Sequence, residues 1–203
     1  MMAACPALRT LDLRCCHGDG SFLYGRGIAW SGNLSRVAMV GCEEMTLDLG
    51  RARSLRSFRF SGNFLNTPFY LPADLADLCI FLGDSISRSC FPNGLPNLTV
   101  LTISDNALRA VTSLFNDGAN AQLPKLSDLQ SLRELQLLMF KMEIVNLTDI
   151  YVCMKTFQLP NLERLFVKFP KTRYWTGKGP HDEVWEEPPK DGLDSLKIVA
   201  MFS

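Results

Sequence analysis

The chain has 203 residues, of which 47% are hydrophobic, so it can bury a core, and we interpret residues 1–203 as one elongated domain. Its 21 basic residues balance 21 acidic residues, so it lacks the long-range field that concentrates a protein on nucleic acid or on an anionic membrane. Seven cysteines without a C-x-x-C pair, and the absence of a signal-like or membrane-spanning apolar run, indicate reduced thiols and an intracellular location, cytoplasmic or nuclear.

A triplet of apolar residues recurs along the chain, with its members at relative positions one, four and six. The last two members alternate with more variable residues, as in a strand that buries one face. In chain order the triplets are Leu8/Leu11/Leu13, Leu34/Val37/Met39, Leu55/Phe58/Phe60, Leu75/Leu78/Ile80, Leu98/Leu101/Ile103, Leu132/Leu135/Leu137, Leu162/Leu165/Val167 and Leu193/Leu196/Ile198. The pattern predicts eight short strands, each preceded by a core leucine.

The ninth position of each window tests this interpretation, because it played no part in the choice of the triplets. In four windows it holds Cys16, Cys42, Asn63 and Asn106, whose side chains can hydrogen-bond the backbone of the turn that leaves the strand. The other windows hold Gly83, Phe140, Pro170 and Met201, which predicts irregular turns. This is the leucine-rich-repeat template, and it predicts an α/β solenoid of about eight repeats: a curved horseshoe with parallel strands on the concave face and helices and loops on the convex face.

The spacing of the first leucines divides the chain into two halves. They lie 20 to 26 residues apart up to Leu98 and 30 to 34 apart beyond it, which gives regular repeats over 5–106 and longer, irregular repeats over 107–203. The added length has helical periodicity after Asn106 and after Asn146. The two helical stripes are Leu108, Val111, Leu114 and Phe115, and then Leu147, Ile150, Tyr151, Met154 and Phe157.

Alternate residues of each predicted strand should point away from the core, onto the concave face. These residues are Thr10, Asp12, Arg14, Arg36, Ala38, Val40, Ser57, Arg59, Ser61, Asp77, Cys79, Phe81, Val100, Thr102, Ser104, Glu134, Gln136, Leu138, Arg164, Phe166, Lys168, Ser195, Lys197 and Val199. The set mixes polar and apolar side chains without a cluster of one sign, as a protein interface or a small-ligand pocket requires. Within it we predict as partner-binding residues Asp12, Arg14, Arg36, Arg59, Asp77, Phe81, Glu134, Gln136, Arg164, Phe166, Lys168 and Lys197.

The segment 170–192 differs from the repeats, since it is rich in proline, glycine and charge, and it should form a surface loop. Its aromatic residues are Tyr174 and Trp175, which lie among basic residues, and Trp185, which lies in an acidic cluster. Exposed tryptophan beside arginine or lysine is a combination found in interaction hot spots. Two interpretations remain open: an interaction loop, or a solvated linker whose tryptophans lie back on the convex surface.

Three segments resemble the strands of plant F-box and leucine-rich-repeat proteins: CPALRTLDL at 5–13, GLPNLTVLTI at 94–103 and LPNLERLFV at 159–167. In that family an N-terminal F-box docks the adaptor subunit of a cullin-type ubiquitin ligase, and the repeats capture the substrate. The resemblance therefore implies a substrate-recognition repeat region, or a truncated relative of one. No Leu-Pro-x-x-x-Leu pattern precedes the first repeat, so adaptor binding is expected only if an F-box lies upstream.

Catalytic patterns are weak, and we expect neither enzymatic activity, nor a cofactor, nor a metal. The string 81–85, FLGDS, resembles the Gly-Asp-Ser block of a lipase and esterase family, and a hydrolase built around Ser85 is the alternative. That chemistry needs a histidine with an aspartate three residues before it, whereas Lys178 stands three before His181. Cys15, Cys16 and His17 are adjacent, so their side chains diverge along a strand. A further possibility is a fragment of a duplicated gene, since apolar strands lie near both ends.

Overall fold

The structure is a computed structural model that describes residues 5–16, 32–42, 49–62, 71–83, 94–108, 129–140, 150, 159–168 and 197–202. These residues build an α/β arrangement around one sheet of eight parallel strands, in which neighbours in sequence are neighbours in space. In chain order they are β1 (Thr10–Arg14), β2 (Arg36–Val40), β3 (Ser57–Gly62), β4 (Asp77–Leu82), β5 (Val100–Ser104), β6 (Glu134–Leu138), β7 (Arg164–Lys168) and β8 (Ile198–Phe202). An all-parallel sheet whose strands follow one another in sequence order is compatible with a solenoid-like stack of coils.

The strands stack in register, so that each residue lies beside the equivalent residue of the next coil. Leu11 pairs with Val37, which pairs with Phe58, and the same row continues through the sheet to β7. The leucine that precedes each strand by two residues is fully buried in β2 to β7, and Leu8 before β1 is partly buried against the same core. The first seven predicted triplets therefore occupy one continuous core behind the sheet.

The eighth predicted triplet is wrong by three residues. Val199, expected on the concave face, pairs with the core residue Leu165, and Met201 pairs with Val167. The register thus aligns Val199 and Met201 with the two core residues of β7, whereas Leu193 and Leu196 lie outside the described residues. The sequence could not decide between them, because Leu193/Leu196/Ile198 and Leu196/Val199/Met201 both have three apolar residues at the same spacing.

A repeated hydrogen-bond pattern joins each coil to the one before it. The carbonyl oxygen of the residue before a strand accepts two amide protons from the next coil: Arg9 O accepts from Ser35 N at 2.9 Å and from Arg36 N at 3.0 Å. Equivalent pairs of bonds recur at every following junction up to β7, and Lys197 N donates to Glu163 O before β8. These bonds fix the start of each strand, and with it the register of the side chains on both faces.

An asparagine just before the core leucine adds a side-chain hydrogen bond between coils. Asn33, Asn97 and Asn161 each donate from Nδ2 to a backbone carbonyl of the preceding coil, at 2.9, 3.3 and 2.6 Å. Asn97 and Asn161 belong to the two Leu-Pro-Asn-Leu segments of the sequence. That motif therefore has a structural role in stacking the coils.

The turns that leave the strands use the ninth-position side chains as the sequence predicted. Asn106 donates from Nδ2 to the carbonyls of Leu82 at 3.4 Å and Gly83 at 3.1 Å, and Cys42 Sγ donates to Leu13 O at 3.4 Å. Asn63 lies outside the described residues.

The convex side is described only in part. A helical turn spans 105–108, with the Oγ of Ser104 accepting from Ala107 N at 3.4 Å as an N-cap. Leu108 of the first predicted stripe is fully buried, and Ile150 of the second is helical and packs against the core. The rest of both stripes, and all of the 170–192 loop, lie outside the described residues.

Candidate partner-binding face

The first, third and fifth residues of β1 to β7 lie on the side of the sheet opposite the core, and we call this surface the strand face. Burial alternates in the flanking strands, where β2 and β7 expose their first residue and bury the second and fourth. In the central strands the strand face is itself largely covered, since Cys79 is 7% exposed and Ser104 is 1% exposed. The side chains that a partner could reach therefore lie mainly on the flanking strands, and small side chains cover the central strands between them.

The register puts all the predicted partner-binding residues from β1 to β7 on this face. They are Asp12, Arg14, Arg36, Arg59, Asp77, Phe81, Glu134, Gln136, Arg164, Phe166 and Lys168. The assignment of Lys197 to it is wrong, because Lys197 precedes β8 and its Nζ lies 3.3 Å from Glu163 Oε1. Tyr174, Trp175 and Trp185 lie outside the described residues.

A chain of polar contacts crosses the strand face from β5 to β7. Thr102 donates to Gln136 Oε1 at 3.3 Å, and Gln136 in turn donates to the Glu134 carboxylate. Arg164 closes the chain, with a guanidinium nitrogen 2.9 Å from Glu134 Oε2. The Glu134 side chain is only 12% exposed, so this network satisfies a nearly buried carboxylate and holds three strands in place.

The remaining carboxylates of the face are also partnered. Asp12 accepts hydrogen bonds from Arg14, which raise the pKa of that guanidinium further and keep it charged. Asp77 accepts a hydrogen bond from Ser57 Oγ at 2.8 Å. The acidic groups of this face are therefore occupied by partners within it.

On the strand face of β1 to β7, three exposed cations have no ion pair with another described residue: Arg36, Arg59 and Lys168. Over β1 to β7 the strand face carries five basic and three acidic side chains, although the whole chain is neutral. The sequence showed no dominant sign on this face. The pairing seen in the structure leaves a surplus of positive charge that a partner can use.

Phe140 was not among the partner-binding residues predicted from the sequence. Its ring lies against that of Phe81, with centroids 5.8 Å apart and planes at 54°, and Phe140 is 59% exposed. Its amide donates to Asp105 Oδ2 at 3.1 Å, which fixes the backbone at the exit of β6. Its position in the sequence could have pointed to it, because Phe140 occupies a ninth position where the template calls for Asn or Cys.

The described residues show no group of three or more side chains that could hold a metal ion. Cys15 is exposed and has φ of 49°, while Cys16 donates to Arg14 O at 3.4 Å. Burial raises the pKa of the Cys79 thiol to about 11, so this group stays protonated and unreactive at neutral pH. Ser85 and both histidines lie outside the described residues.

In the part of the chain that the structure describes, no helix has the length and apolar character needed to cross a membrane. Comparisons of the chain with protein-family models, with curated proteins and with solved structures find no match.

Proposed function

We propose that this chain is a leucine-rich-repeat binding module of about eight repeats and that its strand face is the surface that meets a protein partner. The observation that carries the proposal is the difference between the two faces of one sheet. One side holds the core rows, whereas the other presents Arg36 and Arg59 together with the aromatic pair Phe81 and Phe140.

The composition of this face supports a protein partner. Protein interfaces are enriched in arginine and aromatic residues, and their energetic centres are aromatic or arginine anchors surrounded by nearly neutral contacts. Around the anchors of this face lie Ala38, Ser57 and Ser61, small side chains that would let a partner's backbone approach closely.

We further propose that the module is the substrate-recognition arm of an F-box-type ubiquitin ligase, or a truncated relative of one. The resemblance of the Leu-Pro-Asn-Leu segments to plant F-box and leucine-rich-repeat proteins supports this role. The repeats would hold the substrate, and the ligase adaptor would bind an F-box upstream of them. The partner of the strand face is then the protein destined for ubiquitination.

The test is affinity purification of the tagged chain from its native cells, with quantitative mass spectrometry of the proteins that come with it. The variant Arg36→Glu/Arg59→Glu reverses two charges on the strand face. Its matched control, Arg51→Glu/Arg53→Glu, reverses two exposed charges in the turn before β3. We expect the first variant to lose the partner and the control to keep it. Equal retention by both variants would refute the strand-face assignment.

A further inference from the structure

Three strand-face side chains, Arg36, Arg59 and Phe81, follow one diagonal that ends at Phe140, just beyond the end of β6. We call these four residues the Arg–Phe diagonal. Arg36 pairs with Ser57, so Arg59 lies one strand over and two residues further along. Arg59 pairs with Cys79, and Phe81 repeats the same step on β4. The diagonal ends at Phe140, whose ring packs on that of Phe81.

The two arginines of the diagonal are available for an anionic ligand. Both are exposed, and within the described residues neither has an ion pair, whereas Arg14 and Arg164 of the same face are bonded to carboxylates. The nearest strand-face carboxylate on β4, Asp77, accepts a hydrogen bond from Ser57. A guanidinium prefers carboxylates because its planar fork matches their two oxygens.

The aromatic end of the diagonal fits an apolar side chain. Phe140 is 59% exposed and packs at a tilt against Phe81, so its ring offers apolar surface just beyond the end of β6. Phe81 is half-buried, so the pair offers one exposed ring backed by a second ring. Such an aromatic surface beside charged groups is typical of the anchor position of an interface, where an apolar side chain gains from desolvation.

The spacing along the diagonal matches an extended peptide. One strand across and two residues along corresponds to a Cα separation of about 8 Å, and alternate residues of an extended chain lie about 7 Å apart on one side. Successive same-side residues of a bound peptide can therefore meet Arg36, Arg59 and the phenylalanine pair in turn.

Resting on the proposed function, we propose that the Arg–Phe diagonal binds an extended peptide segment of the partner with the pattern acidic-x-acidic-x-apolar. The two carboxylates pair with Arg36 and Arg59, and the apolar side chain lies on Phe81 and Phe140. The carboxylates of the strand face repel a nucleic-acid backbone, whose many phosphates require a larger surplus of cations. A peptide with two acidic side chains needs only two unpaired cations.

The experiment is selection of displayed random peptides on the purified full chain, followed by fluorescence anisotropy with labelled synthetic copies of the enriched sequences. We expect enrichment of two Asp or Glu residues at a spacing of two, with Leu, Ile, Met or Phe two positions further along. Arg59→Glu and Phe140→Ala should each weaken binding about tenfold or more. Arg51→Glu should leave binding within about twofold, and high salt should weaken the wild-type complex.

The outcomes separate this inference from the proposed function. Enrichment of peptides without paired acids, or no enrichment at all, overturns the acidic pattern. If the enriched peptides lack paired acids but bind Phe140→Ala more weakly than the wild type, the strand face remains the binding surface and only the peptide chemistry is wrong. If binding survives every strand-face substitution, both proposals fail. Tighter binding of a labelled oligonucleotide than of the acidic peptide, or self-association of the chain in sedimentation that Arg59→Glu abolishes, also overturns the inference.

Discussion

Phe81 and Phe140 pack ring against ring at 5.8 Å although strand β5 lies between their coils. Phe81 belongs to β4 and Phe140 follows β6, and the strand between them, β5, ends at the small residue Ser104, which is 1% exposed. A small residue on the middle strand thus permits an aromatic contact between two coils that are not direct neighbours.

This contact should contribute modestly to stability. We expect Phe140→Ala to lower the free energy of unfolding by about 1 kcal/mol, because an aromatic pair is worth about that much and Phe140 is largely exposed. Urea unfolding of the single and double alanine variants of Phe81 and Phe140 measures the coupling. A loss above about 3 kcal/mol for Phe140→Ala would show that the residue belongs to the core.

Asn106, two residues after β5, donates hydrogen bonds that hold the start of the turn after β4. Replacing it with alanine removes donors to the carbonyls of Leu82 and Gly83, and we expect a loss of about 2 kcal/mol because a buried acceptor is left without a partner. Asn97→Ala is the control, since Asn97 is exposed and its loss should cost less than about 1 kcal/mol. Equal urea midpoints for the two variants would argue against the turn role of the ninth position.

Arg164 and Glu134 should be coupled more strongly than Lys197 and Glu163. The Glu134 side chain is 12% exposed and that of Glu163 is 34% exposed, so water screens the second pair more. Double-mutant cycles with Arg164→Ala/Glu134→Gln and Lys197→Ala/Glu163→Gln measure both couplings. We expect about 1 kcal/mol for the first and less than about 0.5 kcal/mol for the second. The reverse order would contradict the strand-face network.

The buried Cys79 thiol predicts a dependence on alkaline pH. Burial raises its pKa from 9.0 to about 11 in the folded chain, so between these values the unfolded chain loses the proton first. Stability should therefore fall as the pH rises from about 9 to about 11. The fall in Tm should be smaller in Cys79→Ala, and no difference between the two proteins would contradict the shift.

The burial of Cys79 also predicts an order of thiol reactivity. Cys5 and Cys15 are exposed, and in the native chain at neutral pH they should react with iodoacetamide at least about tenfold faster than Cys79. Mass spectrometry of the alkylated peptides checks this order. In urea the difference should disappear, because the burial that protects Cys79 is lost.

Much of the sheet could be predicted because two periodicities coincide. In a repeat such as Leu98/Leu101/Ile103, the leucine before the strand and the alternation within it both point to the core, and the structure buries all three residues. The last repeat shows where this reasoning fails. Near Leu196 two overlapping triplets are equally apolar, and only the pairing of Val199 with Leu165 decides between them.

The candidate site was less accessible to sequence reasoning. Residue types on the strand face follow from alternation, but which charges remain available depends on contacts between coils, as between Glu134 and Arg164, which are 30 positions apart in the chain. Phe140 was missed because it follows the strand, and its approach to Phe81 depends on how the coils stack.

The central claim, that the strand face meets the partner, is tested most directly by site-specific photo-crosslinking in native cells. A photoreactive phenylalanine derivative replaces Arg59 on the strand face or, as the matched control, Arg51 in the turn before β3; both positions are exposed. We expect a covalent adduct with a partner protein from position 59 and none from position 51. Adducts from position 51 alone, with the partner still co-purifying in both cases, would contradict the claim.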